Sequence, residues 1–223
     1  MNIVFLGLPG SGKGTQSRIL QRRYNANLIS TGDIFRSIAK SDDDTAKYLN
    51  ELINKGELVP DDVVLDLVEQ KIAGFASSKD HLIFDGLPRT VKQAEALDGL
   101  VARFGGSIDL VVQFLLEDKI IIDRLNSRLV CSNCGAIYSS QNEEAVAGVD
   151  CFDCGSGKLS KRPDDNLEVI EHRLKLEQLR INELLEYYRP RVELYQVCAE
   201  TRIDDIADKI IVKLRELSAK FID

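Results

Sequence analysis

The chain has 223 residues, enough for one substantial α/β core with small insertions and too few for two large independent domains. Hydrophobic residues make up 44% and charged residues 29%, an ordinary balance for a globular protein. A formal net charge of −7 argues against general affinity for nucleic acid, so an anionic ligand must be met by a local cluster of positive charge.

In chain order, Ile-Val-Phe-Leu at residues 3–6 is a short apolar run stopped by Gly7, which suits a buried parallel strand. A helix is expected from Ser11 to Tyr24. Apolar runs recur at Leu28–Ile29, Leu82–Phe84, Leu110–Leu116 and Val192–Val197, with helical patterns between them, notably Asp61–Phe75 and Thr90–Phe104. This alternation predicts an α/β fold with a parallel sheet flanked by helices. Residues 31–60 break the rhythm: they are helical and polar, hold the acidic run Asp42–Asp44, and end in the turn GELVP. Residues 127–165 break it again, with two cysteine pairs and no helical period. After Pro163 an apolar stripe marks a long helix through about Tyr188, expected to start on Asp164 and Asp165. A last helix places Ile206, Ile210, Leu214 and Leu217 on one side. Met1 leads straight into NIVFLG with neither the basic start nor the cleavage site of a signal peptide, and LVVQFLL at 110–116 is too short to span a membrane. A cytoplasmic protein without a membrane partner is expected.

Strand, glycine-rich loop, helix is the arrangement a nucleoside triphosphate requires. In GLPGSGKGT at 7–15, Gly7, Gly10, Gly12 and Gly14 let the backbone turn N–H groups around phosphates, and the helix behind points its positive end at them. Lys13 adds a cation for the β/γ oxygens, with Ser11 and Thr15 beside it. The general P-loop pattern places Ser or Thr directly after the lysine; here Gly14 intervenes. Asp85 ends the run HLIF, a position from which a carboxylate commonly holds Mg2+, and Asp33 is a second candidate.

Phosphoryl transfer asks a protein to hold two phosphates in line and neutralise charge. An acceptor that is itself a phosphate needs cations of its own, and arginine's fork binds oxygens at two points. Arg36, Arg89, Arg124, Arg128, Arg162 and Arg173 are the candidates. Arg124 and Arg128, four apart on an expected helix, would share a face.

The cysteines read Cys131-x2-Cys134 and Cys151-x2-Cys154, with 16 residues between the pairs. That spacing fits a four-thiolate tetrahedral metal site, structural because no coordination position stays open. Metal binding would supply the folding energy of a segment poor in apolar residues. Cys198 stands apart and reads as a packed thiol.

GLPGSGKGTQ at 7–16, STGDIFR at 30–36, GELVPD at 56–61, FDGLPRT at 84–90, DRLNSR at 123–128 and RPDD with a later Arg173 resemble, in order and spacing, the motifs of the adenylate kinase family in its zinc-bearing long-lid form. The resemblance implies a P-loop NTPase-type core (1–30, 61–126 and 166–223), a nucleoside monophosphate (NMP)-binding insertion at 31–60 and a zinc-ribbon-like lid at 127–165. It implies Mg2+-dependent transfer from ATP to AMP giving two ADP, by a monomer. ATP would meet Gly10, Ser11, Gly12, Lys13, Gly14, Thr15, Arg128, Ile137, Tyr138 and Glu200. AMP would meet Thr31, Arg36, Glu57, Leu58, Val59, Gly86, Leu87, Pro88, Arg89, Gln93, Arg162 and Arg173. Arg124, Arg162 and Arg173 would close over the transferring group. The chain departs from the family at Leu87, where an aromatic is usual, after Tyr138, and at VCAETR near the C-terminus. Two alternatives stay open: another nucleotide pair (UMP or CMP as acceptor, GTP as donor), or a nucleotide-switched binding protein whose zinc ribbon grips nucleic acid or a partner, with Lys158, Lys161 and Arg162 giving it some basic character.

Overall fold

A computed structural model describes residues 1–39, 44–55, 57–75 and 81–220. Asp42, Asp43 and Gly56, which belong to the acidic run and the GELVP turn, lie outside the described residues. The chain opens with β1 (Asn2–Gly7), α1 (Lys13–Arg23), β2 (Asn27–Ser30), α2 (Thr31–Ile38), α3 (Asp44–Lys55) and α4 (Asp61–Phe75). Next come β3 (Leu82–Asp85), α5 (Val91–Arg103), β4 (Ile108–Leu115), α6 (Asp118–Ser127), β5 (Arg128–Cys131) and β6 (Ile137–Ser139). It ends with β7 (Leu159–Ser160), α7 (Leu167–Tyr188), β8 (Glu193–Cys198) and α8 (Ile203–Lys220).

Five strands form a sheet in the order β2-β3-β1-β4-β8, every pair parallel. Because successive side chains of a strand point to opposite faces, β1 divides its apolar residues between two cores. Val4 and Leu6 join Phe84 and Val111 in a layer covered by α4, α5, α6 and α7. Ile3 and Phe5 join Ile83, Leu110 and Val112 in a layer covered by α1 and α8. Each such large side chain removed from water contributes about 1.5–3 kcal/mol before entropy is counted. A strand buried on both faces must be apolar throughout, which is why these segments read as continuous runs. The helices that follow β1 and β3 leave to opposite faces, α1 into one layer and α5 into the other. A crevice therefore opens at the carboxyl ends of the strands, where open α/β sheets take ligands.

Residues 128–160 carry a separate antiparallel sheet, β6-β5-β7. Its core is small: Leu129, Ala136, Ala145 and Leu159 with Cys131 and Cys151.

Three expectations are corrected here. Cys198, expected as a packed thiol, is exposed at the end of β8. Helix α7 starts at Leu167 on an Asn166 cap, whose side chain accepts from Val169 N; the Asp164 and Asp165 carboxylates are turned to arginines instead. Arg128 is not helical: backbone φ −68° and ψ 130° end α6 there and begin β5, so Arg124 and Arg128 reach the crevice from different elements.

Candidate active site

The crevice holds a cavity of about 460 Å³. Its walls carry nine basic side chains (Lys13 and eight arginines) against Asp33, Asp85 and Glu177. In a chain of net charge −7 that concentration marks a site for a polyanion. Gly10, Ser11, Gly12, Lys13, Gly14 and Thr15 all line it. Gly10 and Gly12 hold φ of +80° and +98°, which L side chains rarely adopt, and no side chain caps the first turn of α1. The first turn's N–H groups are thereby left without a side-chain cap, as an anion site at a helix N-terminus requires.

Lys13 folds back so that its ammonium donates to Gly7 O at 2.5 Å and Leu8 O at 2.9 Å. Burial lowers its pKa to about 8, against the opposing pull of Asp85 and Glu177. Burial likewise raises the Asp85 carboxyl, which Lys13 draws back down. Gly14, the residue that interrupts the general motif, faces this carboxylate: a Cβ there would stand in contact with Asp85 Oδ2, at 3.4 Å. No hydrogen bond from a described residue engages the Asp85 carboxylate, so a half-buried carboxylate at the phosphate loop fits a Mg2+ that arrives with a triphosphate. Asp33 fits less well, since Arg18 holds one of its oxygens and Arg36 the other, both at 2.7 Å.

The arginines come from different elements, and most are held by internal partners. Arg89 Nε donates to Gly86 O at 3.0 Å, and its Nη1 lies 3.4 Å from Glu177. Arg124 donates to Ala199 O at 2.8 Å. Arg173 pairs with Asp164 at 2.6 Å, and Arg128 grips Asp165 with Nε and Nη2 together. Arg162 differs: its Nε is buried without a partner. Burial, with Arg128 and Arg36 facing it, presses its ionisation downward, yet a guanidinium keeps its proton. An orphaned buried donor among like charges calls for an anion.

A second cavity, about 60 Å³, adjoins the first. Thr31, Glu57, Leu58, Val59 and Gln93 line it, with Arg36, Gly86, Arg89 and Arg173 shared between the two cavities. Thr31 Oγ1 donates to Gly86 O at 3.0 Å. The Gln93 amide is already engaged: its oxygen accepts from Arg89 N at 2.8 Å and its nitrogen donates to Asp61 at 2.6 Å. Three residues fall elsewhere than expected. Leu87 is fully buried in the core and lines neither cavity, because it is the apolar neighbour, not the glycine, that packs under the sheet. Pro88 lines the first cavity. Glu200 is turned to solvent, and Ala199, Thr201 and Ile203 line the wall in its place.

Ile137 and Tyr138 reach the first cavity from β6. The Tyr138 hydroxyl is 3.3 Å from Cys151 Sγ and accepts from Asp153 N at 3.1 Å, tying cavity wall to cysteine cluster. The four thiol sulfurs lie within 4.8 Å of one another, with Cys131–Cys154 at 3.7 Å and Cys134–Cys151 at 3.6 Å. A zinc tetrahedron with Zn–S of about 2.3 Å has edges of about 3.8 Å, so the set fits that ion. Asn133 N and Cys134 N donate to Cys131 Sγ. Ser156 and Gly157 N–H groups draw Cys154 down to about 5, while burial pushes Cys134 up to about 12. Four thiolates side by side need a cation to coexist. Gly157 is required here, as a Cβ would stand 2.4 Å from Cys131 Sγ. Of the basic residues in the ribbon, Arg162 lines the cavity, Lys158 pairs with Asp150 at 2.7 Å on the surface, and Lys161 is exposed.

Residues with no sequence signature also enter the site. Glu177 and Arg180 line the cavity from α7, Asp164 and Asp165 hold arginines, and Arg18 joins three elements. Only the acidic pair in RPDD could have been singled out, by its neighbouring arginines. No described helix is long and apolar enough to cross a membrane.

Residues 5–193 match the sequence model of the adenylate kinase family. The chain is 37% identical over 211 residues to an adenylate kinase of Lactococcus lactis subsp. cremoris (strain MG1363), covering 94% of this chain and 98% of that protein. It is 38% identical over 218 residues to one from Geobacillus sp. (strain WCH70), covering 97% and 98%, and 35% identical over 215 residues to one from Thermosipho africanus (strain TCF52B), covering 96% and 100%. The chain belongs to the adenylate kinase family.

Proposed function

As a member of that family the chain is a phosphotransferase, and we propose that it moves the terminal phosphoryl group of ATP reversibly to AMP, giving two ADP. The observation that carries this reading is the shared wall: Arg36, Arg89 and Arg173 border both cavities. A group passing between two bound phosphates meets the same cations at either end of its path, which is where preorganised charge lowers the barrier.

The phosphate loop and Lys13 hold the donor's phosphates, Arg36 and Arg89 hold the acceptor's, and Arg124, Arg128, Arg162 and Arg173 surround the group in flight. Mg2+ entering with ATP, held near Asp85, would neutralise charge on the donor's phosphates. Glu57–Val59 and Gln93 contact the acceptor base; the Gln93 amide either keeps its Asp61 and Arg89 bonds or exchanges one for adenine. Residues 31–60 act as an NMP-binding insertion and 127–165 as a lid on the core of 1–30, 61–126 and 166–223. Together they exclude water, so the phosphoryl group reaches a nucleotide rather than being hydrolysed. Cys131, Cys134, Cys151 and Cys154 would hold a structural Zn2+, whose binding would keep the lid folded. The enzyme works as a monomer in the cytoplasm, with small nucleotides as its partners.

The test is a panel of AMP, GMP, UMP and CMP offered with ATP, and of GTP offered with AMP, in a coupled ADP assay. ATP with AMP should give the highest kcat/KM. A pyrimidine monophosphate turned over faster than AMP, or GTP preferred to ATP, would move the chain to another nucleotide pair, and no transfer to any acceptor would end the reading.

A further inference from the structure

We propose that Arg18 is a positioning residue that couples seating of the cysteine knuckle to placement of helix α2; this rests on the two-site transfer reading for its functional meaning. Arg18 belongs neither to the phosphate loop nor to the arginines assigned to phosphate. It rides on α1, whose Gln16, Ser17 and Leu20 are buried against the sheet, and its side chain is only 24% exposed.

Its guanidinium spans two elements. Nη1 donates to Cys134 O in the knuckle at 3.2 Å, and Nη2 donates to Asp33 Oδ2 on α2 at 2.7 Å. Asp33 Oδ1 in turn accepts from Arg36, a residue of the shared wall, at 2.7 Å. The far end is fixed as firmly, because Cys134 is one of the four clustered thiols and Gly135 N donates to Cys131 O at 3.1 Å. The knuckle is shaped to admit Arg18: a Cβ on Gly135 would stand 2.7 Å from Nη2, at a φ of +70° that favours glycine in any case. A planar fork makes both bonds only when both acceptors are in place, so each element favours the other's position. The line of contact runs from the cysteine cluster through Cys134 O, Arg18 and Asp33 to Arg36. A metal in the cysteines would therefore bias the acceptor cations from a distance without touching a nucleotide.

Amide hydrogen exchange on the metal-loaded full chain, without nucleotide, tests the coupling. In Arg18→Gln, residues 31–36 and 132–136 should both exchange faster, by roughly tenfold for loss of one charge-assisted bond on each side. In Arg18→Lys the charge for Asp33 remains but the fork is lost, so 132–136 alone should accelerate. In the same Gln variant KM for AMP should rise several-fold while KM for ATP stays within about twofold, a split that a general loss of stability would not produce. Faster exchange in one segment only in the Gln variant, in neither, or a Lys variant as protected as wild type in both, would overturn the coupling. Exchange is read without catalysis, so a wild-type enzyme that failed to phosphorylate AMP would refute the proposed reaction and leave this result standing.

Discussion

Arg128 and Asp165 meet in a two-point ion pair at the edge of the cavity, with the arginine 11% and the aspartate 1% exposed. A buried pair adds little net stability, but removing one member strands a charge, at a cost of about 3–5 kcal/mol when fully buried. Asp165→Asn should lower the melting temperature and reduce transfer at least tenfold, because Arg128 is left to find another partner. Unchanged melting together with unchanged kcat would show that the pair neither holds nor aims Arg128.

Lys13 is a charge the folded protein keeps at a cost. With its folded pKa near 8 against 10.5 for a free side chain, the unfolded chain binds more protons between those values. Its contribution to stability is therefore least favourable below pH 8 and improves as pH rises toward 10.5. The penalty is at most about 3–4 kcal/mol, less whatever water in the cavity screens. Lys13→Met should cut transfer by roughly a thousandfold or more and leave the melting temperature at pH 7 unchanged or higher. A large fall in melting temperature would contradict that balance.

The same shift predicts a proton. Binding a triphosphate places negative charge beside Lys13 and raises its pKa, so ATP binding near pH 8 should take up a fraction of a proton. Titration calorimetry in buffers of different ionisation enthalpy measures it; a binding enthalpy independent of buffer would exclude Lys13 as the group concerned.

Stripping Zn2+ with a selective chelator, followed by restoring Mg2+, should lower the melting temperature by several degrees and leave transfer measurable well below it. The reason lies in the small apolar core around the knuckles, which Leu129, Ala136, Ala145 and Leu159 cannot sustain alone. A melting curve that ignores the metal would rule out a structural site.

Gln93→Leu keeps the side chain's size and removes both its bonds. Asp61 and Arg89 N then lose a partner, so stability should fall by about 1–3 kcal/mol. KM for AMP should rise more than KM for ATP, as seen in a two-substrate kinetic analysis; equal rises would indicate general loosening.

The sheet was legible because a strand covered on both faces has to be mostly apolar, and the runs 3–6, 82–84 and 110–112 of β1, β3 and β4 are. The phosphate loop and the cysteine knuckles were legible because their chemistry is tied to short spacing. What escaped was everything decided by partners distant in sequence. Nothing local to Arg128 shows that it leaves the helix to meet Asp165, which it reaches across 37 residues. Nothing local to Leu87 or Glu200 shows which way each turns. Asp164 and Asp165 carried the charge expected of a helix start, but Asn166 had the cap position and the arginines had the stronger demand.

The internal acids that meet Arg36, Arg89, Arg128 and Arg173 act as resident counterions, while Arg124 is held by the neutral Ala199 carbonyl. A visitor must carry enough negative charge to displace several of them together. Adenosine carries none, and a lone inorganic phosphate reaches few. On the two-nucleotide reading, the donor and acceptor phosphates together would supply that charge, so the cations would discriminate by total ligand charge before any contact with a base.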